Sequence, residues 1–255
     1  MKEGGNQNMI EKLQMFWNAV QDEIGFLLVA IGFIVVLFFC ALAAEKIAKK
    51  NEIGTNTGSR TRKIAIIGVF SALAAALMYL EFPLPFLAPG FYQLDFSEVP
   101  VLIVGFLFGP VAGVTAELVK ILIKIIIKPT STAFVGELAN FIMGCAFVVP
   151  ASIVYRLKKT KKSAIVGLAV GTGSLVLISM FVNAFVLVPA FANLFGGVPV
   201  SDIVAAGTAV NPAITDLLTF TTFAVAPFNL MKGIVVSIPT VFLYKAISKM
   251  IKQIT

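Results

Sequence analysis

The chain has 255 residues, 58% of them apolar and only 13% charged, with a formal net charge of +7 and a mean hydropathy of +0.96. A soluble domain carries roughly 25% charged residues, so too little charge is present to cover a water-facing surface, and a separate soluble domain is excluded. The composition fits one membrane domain of about six or seven spans at roughly 20 apolar residues each.

The first uncharged apolar run covers residues 24–44. Ala41-Leu42-Ala43 imitates a signal cleavage site, but Asp22 and Glu23 precede the run and the cations follow it. That order is the reverse of a secretory signal, so the run reads as a retained span with the N-terminus outside. Lys46, Lys49, Lys50, Arg60, Arg62 and Lys63 flank a stretch over 51–59 rich in Asn, Thr and Gly, which reads as a cytoplasmic linker. Residues 1–63 thus form an N-terminal unit, and residues 64–250 the main domain.

A second span, 64–80, runs outward. The segment 81–95 contains Pro83, Pro85 and Pro89, too many for a helix because proline removes a donor and clashes with the preceding turn. A short inward span over 97–108 turns at Gly109-Pro110, and 111–127 goes outward again. Residues 138–155 return to the cluster Arg156, Lys158, Lys159, Lys161 and Lys162. Residues 164–189 go out, an outer loop follows over 192–215, and 217–244 come back to Lys245, Lys249 and Lys252. All three basic clusters then fall on one side, as cytoplasmic loops should. The reading is an all-α, multi-pass membrane protein with a cytoplasmic C-terminus. Its basic charge is a topology signal rather than a nucleic-acid footprint.

Histidine is absent, which removes the commonest metal ligand and acid–base group. Cys40 and Cys145 lie inside apolar runs and behave as small hydrophobes. No P-loop, nucleophile elbow or H-E-x-x-H pattern occurs, so the chain lacks the parts of an enzyme and calls for no cofactor or metal.

Ionisable residues inside spans are functional candidates. Glu117, Lys120 and Lys124 share one helix face by their spacing, with Lys128 continuing it. They either line a polar cavity or form local ion pairs with snorkelling side chains. Lys232 at a helix centre is unfavourable by roughly 2.5–3.5 kcal/mol and needs water, a partner or a ligand. Asn229 shares its face, after Pro227. This pair favours a ligand site, with Asn183 a further intramembrane amide, whereas Asn140 alone does not. Small residues recur at Gly68, Ala72 and Ala76 and at Gly167 and Gly171. Such stripes let helices approach closely, within the chain or against another subunit.

Several segments carry a resemblance. Leu80-Glu-Phe-Pro-Leu-Pro-Phe86, Leu94-Asp-Phe-Ser-Glu-Val-Pro100 and Gly109-Pro-Val-Ala-Gly113 are followed by Gly136-Glu-Leu-Ala-Asn140, Asn211-Pro-Ala213 and the stretch from Pro227 to Ser237. In this order they resemble the riboflavin-specific S components (RibU family) of energy-coupling factor (ECF) transporters, over about residues 61–244. The resemblance implies a six-helix capture domain over 64–250, in a bacterial cell membrane, that binds riboflavin from outside. It implies no catalysis by this chain: a partner module of one scaffold subunit and two ATP-binding-cassette ATPases would drive release inside. Asn183, Asn229 and Lys232 match positions that hydrogen-bond the flavin. The lid corresponds to the 81–95 loop with Glu81, Phe82, Phe86, Tyr92 and Asp95, and Ala72 and Ala76 match the face that docks the scaffold. Flat flavin rings suit an apolar pocket with a few placed polar groups. The extra N-terminal span and the longer outer loop depart from the pattern. The alternatives are an S component for another flavin such as FMN, or a stand-alone ion-coupled transporter with Glu117, Lys120 and Lys124 as its relay.

Overall fold

In a bilayer every backbone donor and acceptor must be satisfied within the protein, and the apolar runs accordingly fold as helices. The computed structural model describes residues 24–46, 60–128, 130, 132, 134–194, 197–244, 246 and 249. The expected linker over 51–59 and the cations Lys49, Lys50, Lys245 and Lys252 lie outside them. The elements are α1 (Ile24–Lys46), α2 (Arg60–Tyr79), β1 (Phe82–Pro83) and β2 (Gln93–Leu94). They continue with α3 (Glu98–Phe108), α4 (Pro110–Ile127) and α5 (Val135–Lys158), then α6 (Lys161–Leu194), α7 (Val200–Thr208) and α8 (Leu217–Phe242). Five of these, α1, α2, α5, α6 and α8, are long and apolar enough to cross a membrane.

The 11 residues of α3 span roughly 16 Å at 1.5 Å per residue, about half a hydrocarbon core. Every α3 residue except Leu107 is buried, so α3 is the inner strut of the bundle. It turns into α4 at Gly109, whose φ of 97° lies in a region that glycine enters without strain. Pro110 then opens α4, at the helical position where its missing N–H costs nothing. Gly167 and Gly171 let α6 lie directly on α5. A Cβ at either would come within 2.7 Å of the Ala151 carbonyl or 2.6 Å of the Phe147 carbonyl. That small-residue stripe is therefore intramolecular packing. The other differs: Ser71, Ala74, Ala75 and Met78 of α2 are buried, while Gly68, Ala72 and Ala76 face outward. Along α1, Ala41 joins a cluster with Val114, Ile121, Phe141 and Cys145 of α4 and α5.

The expected outer loop over 192–215 contains a helix, α7. Nine residues are too few for an isolated helix in water, and Asp202 interrupts their apolar pattern, so the sequence reads as loop. Tertiary packing supplies the missing stability: Ile203 and Val204 are buried in a cluster with Ile214 and Phe220. Gly207 lies against the Phe220 ring with no room for a Cβ.

Both long outer helices widen into one π turn, Asn183–Leu187 in α6 and Thr221–Val225 in α8. Each has the same cause. Pro189 and Pro227 cannot donate to the carbonyl four residues back and clash with it, and those carbonyls, of Phe185 and Phe223, sit at the centres of the two π turns. Insertions of this kind recur at functional sites.

Candidate ligand-binding site

The first π turn, through Asn183 and Leu187, and the stretch of α8 just after the second, through Phe228, Asn229 and Lys232, line a cavity of about 350 Å³, within the range of small-molecule sites. Its apolar wall comes from Met143 of α5, Leu187, Val188 and Phe191 of α6, Ile203 of α7 and Phe228 of α8. Its floor is polar. Asn183, Asn229 and Lys232 line it, and all three are buried.

Each floor residue has a fixed orientation. Asn183 donates through Nδ2 to the Ser179 carbonyl at 2.8 Å, and its Oδ1 accepts from the Tyr92 hydroxyl at 2.7 Å. Asn229 donates to the Val225 carbonyl at 2.9 Å. Each amide thereby bonds the carbonyl four residues back along its own helix, Val225 being the last residue of the second π turn, and keeps further hydrogen-bonding capacity. The Lys232 ammonium donates to Asp95 Oδ2 at 3.1 Å, and Asp95 Oδ1 accepts from the Ser97 amide at 2.7 Å.

The 81–95 loop covers the cavity as a two-stranded hairpin in which Phe82 pairs with Leu94 and Pro83 with Gln93. Ala88 and Leu94 anchor it in the apolar cluster of Val188, Phe220 and Phe228. Tyr92 projects into the site, its ring centroid 5.4 Å from that of Phe228 and 5.0 Å from that of Phe91. Burial pushes the Tyr92 hydroxyl above its ordinary pKa, so it stays a donor to Asn183.

Behind the floor lies a buried ion cluster. Lys120 donates to Ser97 Oγ at 3.1 Å and to Glu98 Oε1 at 2.9 Å. Glu117 Oε1 pairs with the same ammonium at 2.5 Å. Gly144 of α5 leaves room for that carboxylate, which a Cβ there would strike.

Nearer the surface the cavity is lined by Glu81, Gln93, Lys124, Lys128, Thr132 and Glu137. Lys124 pairs with Glu137, which also accepts from Thr130 Oγ1 at 2.8 Å and Thr132 Oγ1 at 3.2 Å. Lys128 pairs with Glu81 at 2.7 Å. That hydrogen bond, together with the Glu81 charge, holds the Lys128 ammonium above its ordinary pKa. With its amide nitrogen turned inward, Gln93 donates to the Glu81 oxygens at 2.9 and 3.1 Å.

The structure therefore brings Asn183, Asn229 and Lys232 onto one surface, with Glu81 and Tyr92 of the loop beside them. Asp95 reaches the site through Lys232 rather than lining it. Phe82 and Phe86 are exposed, Phe86 by 71%, and do not line the cavity, whereas Phe91 does. The Glu117–Lys120–Lys124 face divides: Lys124 lines the cavity, while Glu117 and Lys120 are fully buried behind it. Asn140, which alone did not favour a ligand site in the sequence, is on the cavity wall with Glu137, Gly136 and Thr132. Its one signal was the three-residue spacing from Glu137, which puts both on one face. Among the described residues no group of three His, Cys, Asp or Glu side chains is placed to hold a metal ion.

Comparison with known proteins follows the same outline. Residues 62–244 match the family described as ECF transporter, substrate-specific component, a stretch that leaves out α1. Among similar proteins is the riboflavin transporter RibU of Staphylococcus aureus, 34% identical over 76% of this chain and 95% of that protein. The riboflavin transporter FmnP of Bacillus subtilis is 29% identical over 76% of this chain and 96% of its own length. A solved structure, of the S component of a bacterial ECF transporter, superposes with a TM-score of 0.60 at 33% identity and covers 76% of this chain and 99% of that one.

Proposed function

Because the chain belongs to the substrate-specific components of ECF transporters, we propose that it captures riboflavin from outside the cell and delivers it to the cytoplasm only with an ATP-driven energy-coupling module. The observation that carries this reading is the polar floor of Asn183, Asn229 and Lys232 beneath an otherwise apolar cavity. A flavin ring offers one edge of alternating donors and acceptors. Two amides, each able to donate and accept, and one ammonium, which only donates, complement such an edge, while Phe91, Phe191 and Phe228 supply apolar faces. The ring polar edge would meet this floor and the polyhydroxyl tail would extend toward Glu81, Lys124, Lys128 and Glu137.

The hairpin acts as the lid, with Tyr92 joined to Asn183 and Asp95 joined to Lys232. The main domain runs over residues 64–250, preceded by α1 and its linker, with the N-terminus outside and the C-terminus cytoplasmic. The exposed Ala72 and Ala76 form the docking face for the scaffold subunit of the module, which brings two ATPases. What supports this division of labour is the lack of a P-loop in the chain together with its family.

The test has two stages. Purified protein should quench riboflavin fluorescence saturably; no saturable quenching would remove the substrate assignment. Vesicles carrying the protein with its module should then accumulate riboflavin only when ATP is supplied, and accumulation without the module would point to a stand-alone transporter.

A further inference from the structure

The cavity mouth carries four charged side chains that close into two ion pairs, Lys124 with Glu137 and Lys128 with Glu81. Their charges cancel. Deeper in, Asp95, Glu98 and Glu117 surround Lys120 and Lys232. Neither tier therefore presents an excess of cation to a ligand, although four lysines stand in or beside the cavity.

Geometry makes the cancellation rigid. Glu137 is held by two threonine hydroxyls besides its lysine, and Glu81 by the Gln93 amide besides its own. An anionic group entering here would have to pull a lysine away from a carboxylate held in place by other donors. It would then lie beside that carboxylate. A polyol faces no such cost, since each hydroxyl both donates and accepts and can bridge the carboxylate and ammonium of a pair while both charges remain matched.

We propose that Glu81 and Glu137 are specificity-determining residues that select a neutral polyhydroxyl tail and reject the corresponding phosphate ester. This inference rests on the reading above, in which the ring edge occupies the Asn183–Asn229–Lys232 floor and the tail reaches the mouth. A phosphate monoester adds roughly 1.5 to 2 negative charges near neutral pH, and like-charge juxtaposition is the usual means of excluding a wrong ligand. The carboxylates thus supply discrimination, and the lysines hold them in place.

The experiment is to titrate the purified full-length chain with riboflavin and with FMN at low ionic strength, following flavin fluorescence. The variants are Glu81→Gln and Lys128→Gln, which remove opposite ends of one ion pair at a mouth where both side chains touch solvent. Wild type should bind riboflavin at least about tenfold more tightly than FMN. Glu81→Gln should narrow that ratio by about three- to tenfold, chiefly through tighter FMN binding, and Lys128→Gln should widen it. Opposite shifts are what electrostatic selection requires; a purely structural role for the pair would move both variants the same way. Equal affinity of wild type for the two flavins, unchanged ratios, or shifts of the same sign would overturn the proposal while leaving riboflavin capture intact. Binding of neither flavin by wild type would take down the riboflavin reading and this inference with it.

Discussion

The Lys232 ammonium donates to Asp95 Oδ2 at 3.1 Å, a bond between residues 137 positions apart that ties the last helix to the root of the hairpin. Both side chains are almost wholly enclosed. Breaking a buried pair by removing one partner costs about 3–5 kcal/mol, because the other charge is left uncompensated. Lys232→Met should therefore lower the melting temperature markedly and weaken riboflavin binding by about 10- to 100-fold, the loss of a charged hydrogen bond of roughly 1.5–3 kcal/mol. Asp95→Asn, which keeps the ammonium, should weaken binding less. The double variant should be less destabilised than the sum of the two, since partners in one pair are not additive. Additive melting shifts would show that the pair is not coupled.

Tyr92 tests the lid separately from the floor. Its hydroxyl donates to Asn183 Oδ1 at 2.7 Å, while its ring packs on Phe228. Tyr92→Phe keeps the ring and removes a hydrogen bond worth about 1 kcal/mol net. Riboflavin should dissociate about fivefold faster, with the association rate nearly unchanged, in stopped-flow fluorescence. Tyr92→Ala, which also removes the ring, should accelerate release further. Equal dissociation rates for wild type and Tyr92→Phe would mean that this bond does not hold the lid.

The helices were legible in the chain because a bilayer makes long apolar runs nearly unambiguous. Asn229 and Lys232 were legible as one face because both lie on one helix at a spacing of three. The partners of Lys120 and Lys124 were not: Glu98 sits on α3 and Glu137 on α5, and no local pattern announces a pairing that depends on how three helices pack. For the same reason Asp95 read as a loop residue rather than as the counter-ion of Lys232. The π turns had their signal in Pro189 and Pro227, but a proline marks a break in the ladder without saying whether the helix kinks, ends or widens. In α7 the sequence is too short and too polar to declare a helix, and its fold follows from burial against Phe220.

Close packing can be probed at three glycines that look alike in sequence. At Gly171 a Cβ would lie 2.6 Å from the Phe147 backbone carbonyl, which cannot swing aside, and at Gly144 it would strike the Glu117 carboxylate. Alanine at either should destabilise by about 1–3 kcal/mol, the usual cost of overpacking. At Gly173 nothing lies within 4 Å, so Gly173→Ala should be neutral or raise stability by up to about 1 kcal/mol through helix propensity. Thermal unfolding in detergent ranks the three, and a Gly173→Ala variant weaker than Gly171→Ala would contradict the packing described for α5 and α6.

Asp216 opens α8. Its carboxylate accepts from the Thr219 amide at 2.8 Å and from the Thr219 hydroxyl at 3.0 Å. Those bonds, the backbone one foremost, hold its pKa below the ordinary value. A depressed folded-state pKa means that the cap stabilises above the unfolded value of about 3.9 and loses that contribution as pH falls through the lower, folded value. Asp216→Ala should therefore melt below wild type at neutral pH, and the gap should close in strong acid. A gap independent of pH would assign the loss to packing instead of the cap.

The outward stripe of Gly68, Ala72 and Ala76 sits on the side of α2 opposite Ser71, Ala74, Ala75 and Met78, which pack inward. Small residues at four-residue spacing permit close helix contact in a membrane, and a bulky side chain on that face would hold a partner off without touching the cavity. Ala72→Leu with Ala76→Leu should leave the melting temperature and riboflavin quenching unchanged, because neither position is packed within the chain. Co-purification of the scaffold subunit should be lost, and with it ATP-dependent uptake in reconstituted vesicles. Retained co-purification with full uptake would move the docking face elsewhere. Lost riboflavin binding would instead mean that the face serves the fold of this chain.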